Sequence, residues 1–235
     1  MNNKTYFENL FNTQLNVINW SNGPKVKAYF TKKIKKMTFE RTIKNSTNFF
    51  LPKQIHGDEI LRLKEPLEPF SVEADAVITD RDVFVGVRTA DCVPILLATK
   101  DNRFVGAVHA GWKGSLKKIL AKTIRELKSL KCTPEEIFLA IGPHIRECCY
   151  EVKDDLIKIL KKVFPENYEN FLRFKKNKVF LSLLEINLFQ AISEGVPKEN
   201  IVILKECTCC NLEYASFRRD KSLDAFQLSF IKCLR

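Results

Sequence analysis

Short β-branched and aromatic runs, each bounded by turn residues, restrict the fold of this chain more than any other feature. They read as strands over Val26 to Phe30, Glu59 to Leu63, Asp75 to Thr79, Val83 to Val87, Val93 to Thr99, Arg103 to His109, Ile137 to Ile141 and Ile201 to Leu204. The clearest helix falls between the sixth and seventh of them, from about Ser115 to Leu130. It carries Leu116, Ile119, Leu120, Ile124, Leu127 and Leu130 at helical spacing, with Ser115 expected as its N-cap. A second helix is expected from Lys153 to Phe164, stopped by Pro165. A third opens on the capping box Ser182-Leu183-Leu184-Glu185 and closes at Gly195 and Pro197. No repeat, low-complexity linker or composition break interrupts the pattern. Residues 1–235 are therefore expected to form a single α+β domain of β-sheet layers flanked by helices.

The composition narrows the class. At 235 residues, 45% apolar and 29% charged, the chain has material for a sizeable core, which excludes a disordered tail, a collagen and a disulfide miniprotein. Its apolar runs, such as Val93 to Ala98, fall short of the roughly 20 residues that cross a bilayer, so no membrane association is expected. The N-terminal Met1 to Glu8 lacks the basic-then-apolar layout of a secretory signal. The expected location is cytoplasmic, with the eight cysteines as thiols or ligands. Lys+Arg minus Asp+Glu is 39 − 28 = +11, the sole support for a basic RNA-binding module. Only Lys32-Lys33-Ile34-Lys35-Lys36 forms a compact basic block, and no aromatic ladder accompanies it, so no specific nucleic-acid partner is expected.

With three histidines in the chain, each can be weighed individually. His56 lies in Gln54-Ile55-His56-Gly57 at a strand edge, and His109 ends an apolar strand just before Ala110-Gly111-Trp112-Lys113-Gly114. A polar side chain at a strand's carboxyl end beside a helix start is a common catalytic address. Cys92 sits where the polar Arg88 to Asp91 segment enters the apolar Val93 to Leu97 run. One thiol and two imidazoles make a three-ligand zinc site with an open fourth position. The same trio also makes a thiolate nucleophile activated by histidine, and both readings stand on the residues alone. His144, in Gly142-Pro143-His144, is expected in a loop near the site. Cys148-Cys149 and Cys207-Thr208-Cys209-Cys210 offer thiols for a structural zinc site, but they are expected as unbridged thiols, on the view that their adjacent and one-residue spacings lack the ligand pairs of a zinc ribbon.

QIHG at 54 to 57, ADAVITD at 74 to 80, VRTADCVPILL at 87 to 97, VGAVHAGWKG at 105 to 114 and IGPHIRECCYEV at 141 to 152 resemble the laccase-domain family. That family is also called polyphenol-oxidase-like, and its members are described as purine nucleoside phosphorylases. The resemblance covers roughly residues 50 to 220 and implies the α+β fold of the cytotoxic necrotizing factor catalytic domain. It also implies zinc at His56, Cys92 and His109, and phosphorolysis of adenosine, inosine and methylthioadenosine with an adenosine deaminase side activity. Two departures stand out. Ser182 takes the place of a common aspartate, and Lys221-Ser222-Leu223-Asp224 replaces the usual threonine-glycine-arginine stretch.

Arg88, Lys113 and Arg146 are the expected phosphate-binding cations, helped by amides near Gly111 to Ser115. A cysteine hydrolase or amidase acting on peptidoglycan precursors, with Cys92 as nucleophile and His109 as base, is the alternative. A copper-dependent polyphenol oxidase stands third, since three ligands do not supply several copper centres. The zinc-deaminase signature His-x-Glu is absent, because Gly111 stands two residues after His109.

Overall fold

Both faces of strand Val93–Thr99 are buried, and this sets out the layers of the computed structural model, which describes residues 3–20, 22–44 and 48–234. Val93, Ile95 and Leu97 face a helical layer, while Leu96 and Ala98 face a second sheet, as the two-residue alternation of a strand requires. The first sheet runs, in spatial order, Ile201–Ile203, Ile137–Ile141, Val93–Thr99, Val105–Ala110, Ala76–Thr79 and Ile60–Leu63. Its two outermost pairs are parallel and the inner ones antiparallel. The second sheet runs Leu15–Ile18, Val26–Thr31, Ala225–Cys233, Phe84–Thr89 and Phe49–Phe50, with Ile34–Lys35 also paired to Ala225–Cys233.

Between the sheets lie Ala28, Phe30, Val85, Val87 and Ile231 from one side and Val77, Leu96, Ala107 and Ala140 from the other. Helices Ile119–Ser129, Asp154–Val163 and Leu183–Ser193 cover the first sheet. Helices Asn3–Phe11 and Lys36–Lys44 cover the second through Phe7, Phe11, Phe39 and Ile43, which pack on Tyr29, Phe84 and Phe230. A separate three-stranded sheet of Glu151–Val152, Lys178–Leu181 and Leu172–Lys175 adds Leu172 and Leu181 to the core under the helices of the first sheet. The fold is thus mixed α+β. No described helix is long and apolar enough to cross a membrane.

The eight expected strands all form, Val93–Thr99 and Ile137–Ile141 with the expected boundaries and the rest shifted by a residue or two. The expected helix from Ser115 to Leu130 does not form as one piece. It is two helices, Trp112–Leu116 and Ile119–Ser129, broken where Lys118 takes a left-handed backbone at φ 63° and lays its ammonium 5.3 Å from the Phe164 ring centroid. Ser115 is therefore inside the first helix, not its cap; Gly111 is the N-cap. The Ser182 hydroxyl does cap its helix, accepting from Glu185 N at 3.3 Å. All eight cysteines are free thiols. The parallel pairing of Ile201–Ile203 with Ile137–Ile141 nevertheless brings Cys148, Cys149, Cys207 and Cys210 together. Cys207 and Cys210 are in fact a Cys-x-x-Cys pair, which corrects the reading of that stretch as adjacent and one-residue spacings.

Candidate active site

Strand register builds the site. Val93 pairs with Ala110 and Pro94 with His109, so Cys92, just before its strand, meets Gly111, just after the neighbouring one. On the other side of His109, Ala76 pairs with Val108, which puts Asp75 beside His109, and His109 N donates to Asp75 O at 2.7 Å. Cys92 has the parity of Leu96, and His109 that of Ala107. Both side chains therefore leave the sheet toward the second sheet. His56 arrives from a turn, its ring centroid 4.8 Å from that of His109 at 86°. One ligand atom from each of His56, Cys92 and His109 lies within 4.8 Å of the other two.

Asp75 holds the His109 imidazole and the backbone of the turn that carries His56. Its Oδ1 accepts from His109 Nδ1 at 2.7 Å, which leaves Nε2 of that ring for other partners. The same carboxylate accepts from the amides of Ile55 at 3.2 Å, His56 at 3.0 Å and Gly57 at 2.6 Å. These bonds hold His56 in a left-handed conformation, φ 57°, that a side-chain-bearing residue adopts only with support. Asp58, next in the turn, pairs with Lys117 at 3.0 Å and with Lys122. Asp91 is strained likewise, at φ 92°. Its carboxylate accepts from Thr208 Oγ1 at 2.7 Å and from Arg218 N at 2.6 Å, and its carbonyl from Ile145 N at 2.9 Å.

The electrostatics follow from this packing. Burial opposes ionisation of Cys92, but the charge and hydrogen bond of His109, with the hydrogen bond of His56, outweigh it and bring the thiol down to about 6. Burial likewise opposes protonation of His109, yet the Cys92 and Asp75 charges carry it up to about 9. Desolvation of Asp75 is overcome by His109 and the Gly57 and Ile55 amides, which hold its carboxyl below the usual range. Without a metal the site is thus a thiolate beside an imidazolium.

The three side chains open into a cavity of about 890 Å³, of a size that takes a small organic ligand. Trp112, Tyr150, Phe217 and Phe226 supply apolar surface, and Lys36, Arg88, Arg218 and Lys221 supply positive charge. Arg88 threads its guanidinium among Phe39, Phe70 and Phe226, at 5.6, 4.6 and 5.5 Å from their ring centroids. Its Nε is buried with no hydrogen-bond partner among the described residues. Tyr150 is pushed up to about 12 by burial and by the Cys92 and Asp91 charges, against Arg218.

Of the residues named from sequence, the structure brings together His56, Cys92 and His109, and places Arg88 on the cavity wall. Lys113 and Arg146 do not line that cavity. Lys113 is exposed, its ammonium 5.6 Å from the Trp112 ring centroid, and Arg146 Nε lies 3.4 Å from a Glu147 carboxylate oxygen. The Gly111 to Ser115 amides belong to the N-cap and first turn of a five-residue helix. His144 is fully buried, with Nδ1 2.7 Å from Gly142 O, and burial lowers it to about 4, so it stays neutral. Sequence reasoning missed Asp75, Lys36, Arg218 and Lys221. An acid at the mouth of an apolar strand is a signal that would have found Asp75.

Three comparisons bear on this site. The family model for multi-copper polyphenol oxidoreductase laccase matches residues 27–232. A purine nucleoside phosphorylase of Aquifex aeolicus is 36% identical over 192 residues, 81% of this chain and 86% of that one. The adenosine deaminase RL5 of an unknown prokaryotic organism is 29% identical over 177 residues, 71% and 67% of the two chains. In fold, the crystal structure of YlmD from Geobacillus stearothermophilus superposes with a TM-score of 0.80 at 24% identity, over 92% of this chain and 93% of that one.

Proposed function

Because this chain belongs to the multi-copper polyphenol oxidoreductase laccase family, whose relatives include named purine nucleoside phosphorylases, we propose that it cleaves purine nucleosides with phosphate. The observation that carries the reading is the convergence of His56, Cys92 and His109 at a cavity whose wall also carries aromatic faces and Arg88. The products are the free base and ribose 1-phosphate, or the methylthio sugar phosphate from methylthioadenosine.

The donor set fits zinc. Two imidazoles and a thiolate suit that ion, and a Cβ built on Gly111 would stand 3.0 Å from Cys92 Sγ, 3.6 Å from His56 Cδ2 and 3.8 Å from His109 Cε1, so the glycine keeps the space between the ligands clear. When bound, zinc held by these three residues would supply Lewis acidity beside the cavity. The Asp75 contact to His109 is the carboxylate–histidine support such sites use. The laccase name does not carry multicopper chemistry to this chain. Of its three histidines, two are in the triad and His144 is buried on a backbone carbonyl, which leaves no imidazoles for further copper centres.

In the proposed reaction a phosphate oxygen bonds to C1′ as the C1′–N9 bond breaks, and the base leaves with the electron pair and takes up a proton. Arg88 holds the phosphate, with Lys36, Arg218 and Lys221 adding positive potential at the cavity wall. Trp112 and Tyr150 offer faces to the purine, and Tyr150, kept protonated, offers a hydroxyl donor to the departing base. Adenosine deamination at the same site would use water in place of phosphate and a proton carrier other than the glutamate of the His-x-Glu signature, since Gly111 holds that position.

One observation favours a second reading. Cys92, His109 and Asp75 stand in the order of a cysteine–histidine–acid triad, and the thiolate–imidazolium pair is the active form of such hydrolases. The separating experiment incubates zinc-loaded protein with adenosine, inosine and methylthioadenosine, with and without phosphate, and identifies the products by chromatography. Phosphate-dependent release of base supports the phosphorylase. Activity that survives chelation and falls to a thiol alkylating agent supports the hydrolase.

A further inference from the structure

A second group of sulfur ligands lies outside the triad. Strands Ile137–Ile141 and Ile201–Ile203 are parallel neighbours, with Ile141 paired to Ile203, so the chain segments that follow them emerge side by side. The first segment carries Cys148 and Cys149, and the second carries Cys207 and Cys210. A bridge between His144 and Cys207 joins the two, with Thr208 N donating to His144 O at 3.1 Å. One sulfur from each of the four cysteines lies within 4.8 Å of the other three. Cys148 and Cys149 are 3.8 Å apart, Cys148 and Cys210 3.5 Å, and Cys149 and Cys210 3.3 Å.

These separations decide between two chemistries. A disulfide holds its sulfurs at about 2.05 Å. Four thiolates at about 2.3 Å from one zinc stand about 3.8 Å apart along the edges of the tetrahedron. The observed distances are near the edge length and well beyond the bond length. Arg146 N also points at Cys207 Sγ, at 3.4 Å, the amide-to-sulfur contact that favours a thiolate. Cys209 lies outside the group, and Cys207 with Cys210 keeps the Cys-x-x-Cys spacing common among zinc ligands.

We propose that Cys148, Cys149, Cys207 and Cys210 bind a structural zinc ion as a tetrathiolate that ties the segment after Ile141 to the segment after Ile203. On binding, four thiol protons pass to solvent and a dianionic centre forms, with no redox step. Arg218 and Arg219 lie beside it. Arg218 Nη1 donates to Cys149 O at 3.5 Å and Glu151 O at 3.1 Å, and Arg219 Nη1 to Thr208 O at 2.8 Å and Cys209 O at 3.1 Å. The joined segments carry Ile145, Tyr150, Phe217 and Arg218, so this metal fixes one wall of the cavity without entering it.

Elemental analysis of the full chain tests the proposal without reading nucleoside turnover, so its outcome is independent of the proposed activity. The Cys92→Ala protein, disabled at the triad, is expected to retain one equivalent of zinc per chain, and adding Cys148→Ser or Cys210→Ser is expected to remove it. Cobalt loading of Cys92→Ala protein is expected to give sulfur-to-cobalt charge transfer and the intense visible bands of a tetrahedral thiolate site, and it requires no change to the cluster itself. Titration of unreduced protein, denatured with chelator, is expected to recover all eight thiols. A Cys92→Ala protein that takes up neither zinc nor cobalt would overturn the proposal, as would zinc content indifferent to both serine substitutions. Recovery of six thiols with a bridge mapped to Cys210 would replace it with a disulfide.

Discussion

His109 Nδ1 donates to Asp75 Oδ1 at 2.7 Å, and the same carboxylate caps the three amides of the turn that carries His56. One buried acid therefore orients two of the three candidate ligands. Asp75→Asn is expected to weaken zinc affinity about 10- to 100-fold, the usual effect of losing a carboxylate behind a ligating histidine, with turnover falling in parallel. Competition against a chromophoric chelator measures the first and nucleoside consumption the second. Unchanged affinity would remove Asp75 from the site.

Zinc affinity is expected to depend steeply on pH. The metal requires a thiolate and neutral imidazoles, whereas the free site holds the Cys92 thiolate, titrating near 6, beside the His109 imidazolium, titrating near 9. Between those values binding displaces one proton from His109, so affinity falls about tenfold for each unit the pH drops; below about 6 Cys92 must also lose its proton, and the fall approaches a hundredfold per unit. Chelator competition across this range checks the slope and its break.

Gly111→Ala fills the space between the ligands. The residue has an ordinary backbone, φ −69° and ψ 174°, so alanine adds no strain, and its Cβ would stand 3.0 Å from Cys92 Sγ. Zinc retention and turnover are expected to fall together while the thermal midpoint changes little. Gly114→Ala is the contrasting variant. Its Cβ would stand 2.9 Å from the Gly57 carbonyl oxygen, and overpacking of that kind costs about 1 to 3 kcal/mol of stability, read as a lower unfolding midpoint.

Arg88→Gln is expected to weaken apparent phosphate affinity roughly 10- to 150-fold, from the loss of about 1.5 to 3 kcal/mol in a charge-assisted contact, and to leave zinc content unchanged. Deamination, which uses water, is expected to suffer less. Equal loss of both activities would assign Arg88 to nucleoside binding or to the aromatic cluster around it.

The sequence made the central strands of the first sheet legible because their apolar runs are covered on both faces, as along Val93–Thr99. It hid Ala225–Cys233, a central strand, because Gln227 and Ser229 interrupt its apolar pattern; both are buried, and Gln227 Nε2 is satisfied by Ala215 O at 3.0 Å. Helices Asn3–Phe11 and Lys36–Lys44 were missed because polar and basic residues crowd the phenylalanines that anchor them. The break at Lys118 left no local mark, since nothing in Lys117-Lys118 forbids a helix. His56, Cys92 and His109 were legible as residue types in telling positions. The role of Asp75 and the four-cysteine cluster arise from strand pairing, which brings together residues distant along the chain.

Phosphorus NMR of zinc-loaded protein turning over inosine in phosphate buffer tests the central claim most directly. The account predicts that inorganic phosphate disappears mole for mole with inosine as a sugar 1-phosphate resonance grows, and that the Cys92→Ala protein shows neither change. Release of hypoxanthine without consumption of phosphate would contradict it, as would zinc-loaded protein that leaves every nucleoside intact.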